Sequence, residues 1–175
     1  MNKRLLIFIA VFGIALAAVT LYYVSKIRNA AADFQARADM PAFSFTQFNG
    51  EPYTRDSLRS GVPTVLVLFD PDCEHCQEEL TTIQQSIAAF QGVELLLVSP
   101  ADRSRLIPFA SEKGLNSLPG VRVLGTEAPH FLELFGTTKM PTTFFYGGDR
   151  MLRQEEVGRL KEGELLEGLE KLKNL

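Results

Sequence analysis

The chain has 175 residues, 46% of them hydrophobic, and a net charge of −3, enough for one domain of ordinary size plus an appendage. The charge is unevenly spread: Lys3, Arg4, Lys26, Arg28 and Arg37 outweigh Asp33 and Asp39 and leave +3 over residues 1–40. Residues 41–175 therefore carry −6, an acidic balance that argues against binding through phosphates and excludes nucleic acid as the partner.

Leu5 to Val24 is a run of twenty residues without a charge. At 1.5 Å per residue it would span roughly 30 Å, the thickness of a bilayer's hydrocarbon core. Tyr22 and Tyr23 sit where an interfacial belt would place them. The competing reading is a cleaved secretory signal with Ala30-Ala31-Ala32 as its processing site. Against it, the apolar core exceeds the usual length of about 7–15 residues, and Lys26 and Arg28 interrupt the approach to that site. No cysteine lies nearby to carry a lipid. The expected organisation is a transmembrane anchor over residues 1–25, a juxtamembrane linker over 26–40 and one folded domain over 41–175. Basic residues flank both ends of the span almost equally, so charge does not set the orientation. A first hydrophobic segment usually leaves the following domain outside the cytoplasm. The expected location is therefore a bacterial inner membrane, crossed once, with the domain on the periplasmic side and lipid contacts through residues 5–24.

In the domain, Phe43-Ser44-Phe45-Thr46-Gln47-Phe48 alternates apolar and polar residues, and Asn49-Gly50 supplies a hairpin turn. Thr54 to Leu58 reads as a short helical turn. Val62 to Phe69 is a continuous apolar run of strand length, as expected of a strand covered on both faces. Leu80, Ile83, Ile87 and Phe90 then recur at helical spacing, with glutamines between them, and the helix is expected to reach Gln91-Gly92. Val93–Val98 is a second buried strand, Asp102–Lys113 a helix closed by Gly114, and Val121–Leu124 a short strand. Ala128–Phe135 forms another helix. Thr142–Tyr146 and the stretch from Met151 read as antiparallel strands around Gly147-Gly148-Asp149, and Leu160–Leu172 is a closing amphipathic helix. Alternating strands and helices with a hairpin near the end predict an α/β sandwich of three layers around a mixed sheet.

The only two cysteines, Cys73 and Cys76, fall at the junction of the first core strand and its helix. Traced backward, the apolar stripe of the helix passes through Cys76 and reaches Cys73 at the helix mouth. Cys73 is thus expected to be the exposed thiol and Cys76 its buried partner. Unpaired N–H groups at a helix N-terminus stabilise a thiolate, the form that attacks disulfides. A second thiol three residues on can resolve the mixed disulfide intramolecularly. A zinc site is the rival use of such a pair, but zinc wants four ligands and the chain adds only His75 and His130. No metal and no cofactor beyond a Cys73–Cys76 disulfide is expected. Asp70, Asp72, Glu74, Glu78 and Glu79 crowd the same helix start and oppose a thiolate, whereas a protonated His75 would favour it. Asp72 is the expected helix cap.

These features together resemble the membrane-anchored TlpA/ResA-like branch of thioredoxin-fold thiol–disulfide oxidoreductases, within the wider redoxin/AhpC-TSA-like superfamily. The resemblance covers residues 41–173 and rests on Pro41-Ala42-Phe43, Asn49-Gly50 before Leu58, the Cys73–Cys76 pair, Phe135-Gly136, Met140-Pro141-Thr142-Thr143-Phe144 and Gly158. It implies an N-terminal β-hairpin added to a thioredoxin-like sandwich. It implies a cis Pro141 facing the cysteines, with the Met140 backbone beside Cys73 where a substrate segment pairs as an extra strand. Glu79 matches an acidic position of this branch and becomes the candidate proton acceptor for Cys76. The partners implied are cysteine-containing exported proteins, apocytochrome among them, and a membrane protein that donates or accepts electrons, with a reductase role. The chain departs from the pattern in having Asp72 where tryptophan is usual. Its loop is one residue shorter than the common form, and apolar Leu66-Val67-Leu68 stands where classical thioredoxins bury an aspartate. A thiol peroxidase is one alternative, but its Pro-x3-Thr-x2-Cys motif would need other residues than Leu66 and Asp70. A copper-delivery protein is another, although such proteins resemble Cys-x3-Cys rather than the spacing here.

Overall fold

In the computed structural model, which describes residues 2–36 and 38–173, the apolar run ahead of the cysteines lies inside a seven-stranded mixed sheet. The strands are β1 (Ser44–Thr46), β2 (Pro52–Thr54), β3 (Thr64–Leu68), β4 (Glu94–Ser99), β5 (Val121–Gly125), β6 (Thr142–Tyr146) and β7 (Leu152–Val157). Their order across the sheet is β2-β1-β5-β4-β3-β6-β7. β3 runs parallel to β4, and β4 to β5, while β1, β2, β6 and β7 pair antiparallel. Every residue of β3, β4 and β6 is buried, the burial that continuous apolar runs require.

The helices are α1 (Lys3–Ala36), α2 (Glu74–Gln85), α3 (Arg103–Glu112), α4 (Ala128–Phe135) and α5 (Glu162–Lys173). Successive crossovers from β3 to β4 and from β4 to β5 travel the same way across the sheet, and their common hand places α2 and α3 on one face. There Val65, Val67, Leu95, Leu97 and Phe145 pack with Cys76, Leu80 and Ile83 of α2, Leu106 of α3 and Leu165 of α5. The connection from β5 to β6 travels back, so α4 covers the other face. That layer is aromatic: Phe131 and Phe135 stack at 4.4 Å between centroids, and Phe135 meets Phe144 of β6 at 5.4 Å.

The hairpin forms where alternation predicts it, with Phe45 opposite Tyr53 and Gly50 at φ +89° in the turn. α2 is shorter than the periodicity suggests. It ends at Gln85, and a 3₁₀ turn over Ile87–Phe90 completes the stretch. In its second half Thr81 and Thr82 turn their hydroxyls back onto the carbonyls of Gln77 and Glu78, a competition that bends and weakens helices.

The chain divides into two units, Met1–Arg37 and Ala38–Leu175. The first is one helix, α1 (Lys3–Ala36), whose stretch Val11–Asn29 is long and apolar enough to cross a bilayer. The side chains of residues 5–8, 10 and 30–36, which include the start of the expected span and the alternative processing site, lie outside the described residues. In the second unit Met40 is already fixed. Its side chain is buried, its N–H donates to the Arg150 carbonyl at 2.9 Å, and its own carbonyl accepts from Arg55 Nη1 at 2.9 Å.

Candidate active site

The loop after β3 is organised by Asp70. Its carboxylate accepts the Asp72 N–H at 2.9 Å and its carbonyl accepts the Cys73 N–H at 3.1 Å. This local turn uses Asp72's amide and swings its side chain outward. The residue at the cap position of α2 is therefore Cys73, not Asp72: Cys73 Sγ accepts the Cys76 N–H at 3.3 Å. The sequence expectation of an Asp72 cap is corrected on this point. The Asp72 carboxylate instead pairs with Arg105 of α3. Gln77 Nε2 donates to the Pro71 carbonyl at 2.6 Å and ties the loop back onto α2.

Cys73 is half-buried and Cys76 fully buried, and neither is bridged. The Cys73 thiol points its Sγ–H at the Met140 carbonyl, 3.9 Å away, across a cis Met140–Pro141 peptide. Burial pushes the Cys76 thiol up to about 12, helped by its contact with Cys73 and by the nearby negative charge of Glu79, against a hydrogen bond from the Asp70 backbone. The two sulfurs thus differ in access.

Glu79 lies beneath the pair at 0% exposure. Its Oε1 accepts from Thr143 Oγ1 at 2.6 Å and its Oε2 from the Leu160 N–H at 3.0 Å. A buried carboxylate needs such partners. Burial raises its pKa, and the two hydrogen bonds together with the Arg159 charge only partly offset that. Thr143, the Leu160 amide and Arg159 were not read from the sequence, since they stand 64 to 81 residues from their partners.

The rim is charged and exposed. Glu78 pairs with Arg159 and with His75, whose Nδ1 is 3.4 Å from Glu78 Oε2, and these contacts hold the Glu78 carboxyl below its usual range. The His75 side chain is 73% exposed, and the contact it makes is with this carboxylate. Among the described residues, no group of three His, Cys, Asp or Glu side chains gathers as a metal site would require. His130 lies in the first turn of α4, away from the cysteine helix on the opposite face of the sheet.

Comparison with solved structures gives the fold a name. A secreted Mycobacterium tuberculosis disulfide oxidoreductase homologous to E. coli DsbE aligns with a TM-score of 0.64 at 23% identity, covering 78% of this chain and 98% of that one. A thioredoxin-family thiol:disulfide interchange protein from Chlorobium tepidum aligns with a TM-score of 0.65 at 17% identity over 77% and 95%. StoA from Bacillus subtilis aligns with a TM-score of 0.58 at 18% identity over 75% and 98%. The fold is accordingly that of the thioredoxin-like disulfide oxidoreductases. A search of curated proteins returns no match. The AhpC/TSA family profile matches residues 29–154, and the chain belongs to the AhpC/TSA family.

Proposed function

We propose that the protein is a membrane-tethered thiol–disulfide oxidoreductase acting through Cys73 and Cys76. The observation that carries this reading is the asymmetry of the pair: an accessible Cys73 sulfur at a helix N-terminus, three residues before a buried thiol held protonated. A helix N-terminus stabilises the attacking thiolate. In the reducing direction, the Cys73 thiolate attacks one sulfur of a substrate disulfide. A Cys73–substrate disulfide forms and the other substrate sulfur leaves as a thiolate. Cys76 then gives its proton to Glu79, attacks Cys73 Sγ and releases the second substrate thiolate. The substrate has gained two electrons and the protein is left with a Cys73–Cys76 disulfide. A membrane dithiol protein would restore the reduced pair.

Glu79 suits its part because its raised pKa lets it accept a proton closer to neutrality than an ordinary carboxylate. Two donors occupy it, and a carboxylate has about four acceptor positions. Met140 and Pro141 present a backbone carbonyl beside Cys73, where an extended substrate segment can add as a strand. His75 and Asp72 adjust the charge of the rim. The substrates are exported cysteine-containing proteins, with apocytochrome as one instance, and the domain lies on the extracytoplasmic side of the inner membrane. The apolar stretch Val11–Asn29 supports the tether.

The test uses the full chain purified in detergent from carbonate-washed membranes. It should catalyse reduction of insulin by dithiothreitol, and Cys73→Ser should abolish that catalysis. Recovery of the chain only in the wash would remove the tether and leave the redox chemistry standing. A Cys73→Ser variant as active as wild type would overturn the redox reading.

A further inference from the structure

Five acidic residues surround the start of α2, and like charge opposes a thiolate there. The structure supplies a counter-ion to the two in the loop. Arg105, in the first turn of α3 and 47% exposed, forms an ion pair with Asp72 and brings its guanidinium within 3.9 Å of Asp70 Oδ2. α3 is fixed beside the loop by buried Leu106 and by Phe109, whose ring lies 6.0 Å from that of Phe69. The loop it holds bonds the backbone of one cysteine and the sulfur of the other. The Asp70 carbonyl accepts the Cys73 N–H, and the Asp70 backbone donates to Cys76.

We propose that Arg105 is a positioning residue for the cysteine pair, clamping the Asp70–Asp72 loop to α3 and offsetting the two carboxylates that would otherwise oppose a Cys73 thiolate. The inference rests on the redox reading above for its purpose, but not for its test. Other charges around Cys73 are Glu74, His75 and Glu78 on α2, Glu79 and Cys76 in the floor, Lys139 ahead of the cis peptide, and Arg159 after β7. Glu78 has its own counter-ion in Arg159. Among the described residues Arg105 is the one cation paired with the loop carboxylates. Its planar fork holds donors toward two acceptors in a fixed geometry, which the rotating donors of an ammonium do not.

The experiment measures the rate of Cys73 alkylation by iodoacetamide against pH in the reduced full-length protein in detergent, by peptide mass spectrometry. Arg105→Gln should shift the rate curve to higher pH and slow the reaction at pH 7 by roughly three- to tenfold, up to one pH unit's worth of charge effect. Asp72→Asn, which removes the other end of the same pair, should shift it to lower pH and speed the reaction. Arg105→Lys should fall between wild type and Arg105→Gln. Lys171→Gln on α5, an equal change in net charge, should leave the curve in place. If Arg105→Gln does not fold, the opposed shifts of Arg105→Lys and Asp72→Asn carry the same test. Curves for Arg105→Gln and Asp72→Asn that superimpose on wild type, or that move in the same direction, would overturn the charge offset and with it the role of Arg105. Alkylation needs only a thiol, so that result would leave insulin reduction by the wild type as the separate test of function.

Discussion

The rim and the floor of the cysteine site come from the same turns of α2 yet behave in opposite ways. Glu78 and Glu79 are neighbours in sequence. Glu78 faces solvent, and Arg159 and His75 hold its carboxyl down; Glu79 is sealed inside, and burial pushes its carboxyl up. The same split separates the half-buried Cys73 from Cys76, whose thiol is raised to about 12. Desolvation outweighs two hydrogen bonds in the floor, whereas exposed charges settle matters at the rim, where solvent screens them. In the proposed mechanism the floor handles the proton and the rim meets the substrate.

Removing the base in the floor should show the largest effect. Glu79→Gln keeps the shape and is expected to slow resolution of the mixed disulfide at neutral pH by about 100-fold, the low end of what a positioned base contributes, with recovery at alkaline pH. Stopped-flow reduction of a model disulfide across pH checks this. Stability should respond with a definite sign. The folded pKa of Glu79 lies above its ordinary value, so the native state keeps a proton that the unfolded chain has lost. Stability is then fully present below the ordinary value and declines as pH rises toward the raised one. Glu79→Gln should lack that decline in denaturant titrations run at successive pH values.

Cys76 gives the same signature in an alkaline window. Between its ordinary value of 9.0 and about 12 the unfolded chain ionises this thiol first, so the reduced protein should lose stability as pH rises through that range. Thermal melts of Cys76→Ser over the same range should lack this part of the loss. Equal slopes for the two proteins would mean that the floor does not hold the Cys76 proton.

The rim should respond least. Arg159→Gln frees Glu78, and its carboxyl should titrate closer to the ordinary value by NMR. Melting temperature should stay unchanged within error and disulfide reduction within about twofold, since exposed ion pairs contribute little. A large loss of activity would show that Arg159 acts through the floor, where its charge also reaches Glu79.

What could be read from the sequence follows the range of the interactions. The strand, cysteine pair and helix are local, and hydrophobic periodicity with a helix-mouth cysteine was enough to place them. The hairpin at Asn49-Gly50 and α4 over Ala128–Phe135 were legible for the same reason. Asp72 misled because a cap residue and an Asx turn use the same residue types, and here Asp70 took the turn and left Cys73 at the cap. The early end of α2 was hidden because Ile87 and Phe90 keep helical spacing while their backbone tightens to a 3₁₀ turn. Arg105, Thr143, Leu160 and Arg159 reach the site from 33 to 81 residues away, through the tertiary fold alone. No local pattern marks them.

The division of labour between the two sulfurs is tested most directly by trapping. Full-length Cys76→Ser and Cys73→Ser proteins, reduced and then offered a disulfide-bonded substrate, are analysed by mass spectrometry for the sulfur that carries the adduct. The account requires Cys76→Ser to accumulate a mixed disulfide on Cys73 and Cys73→Ser to trap none. An adduct on Cys76, or equal trapping by both variants, would contradict it.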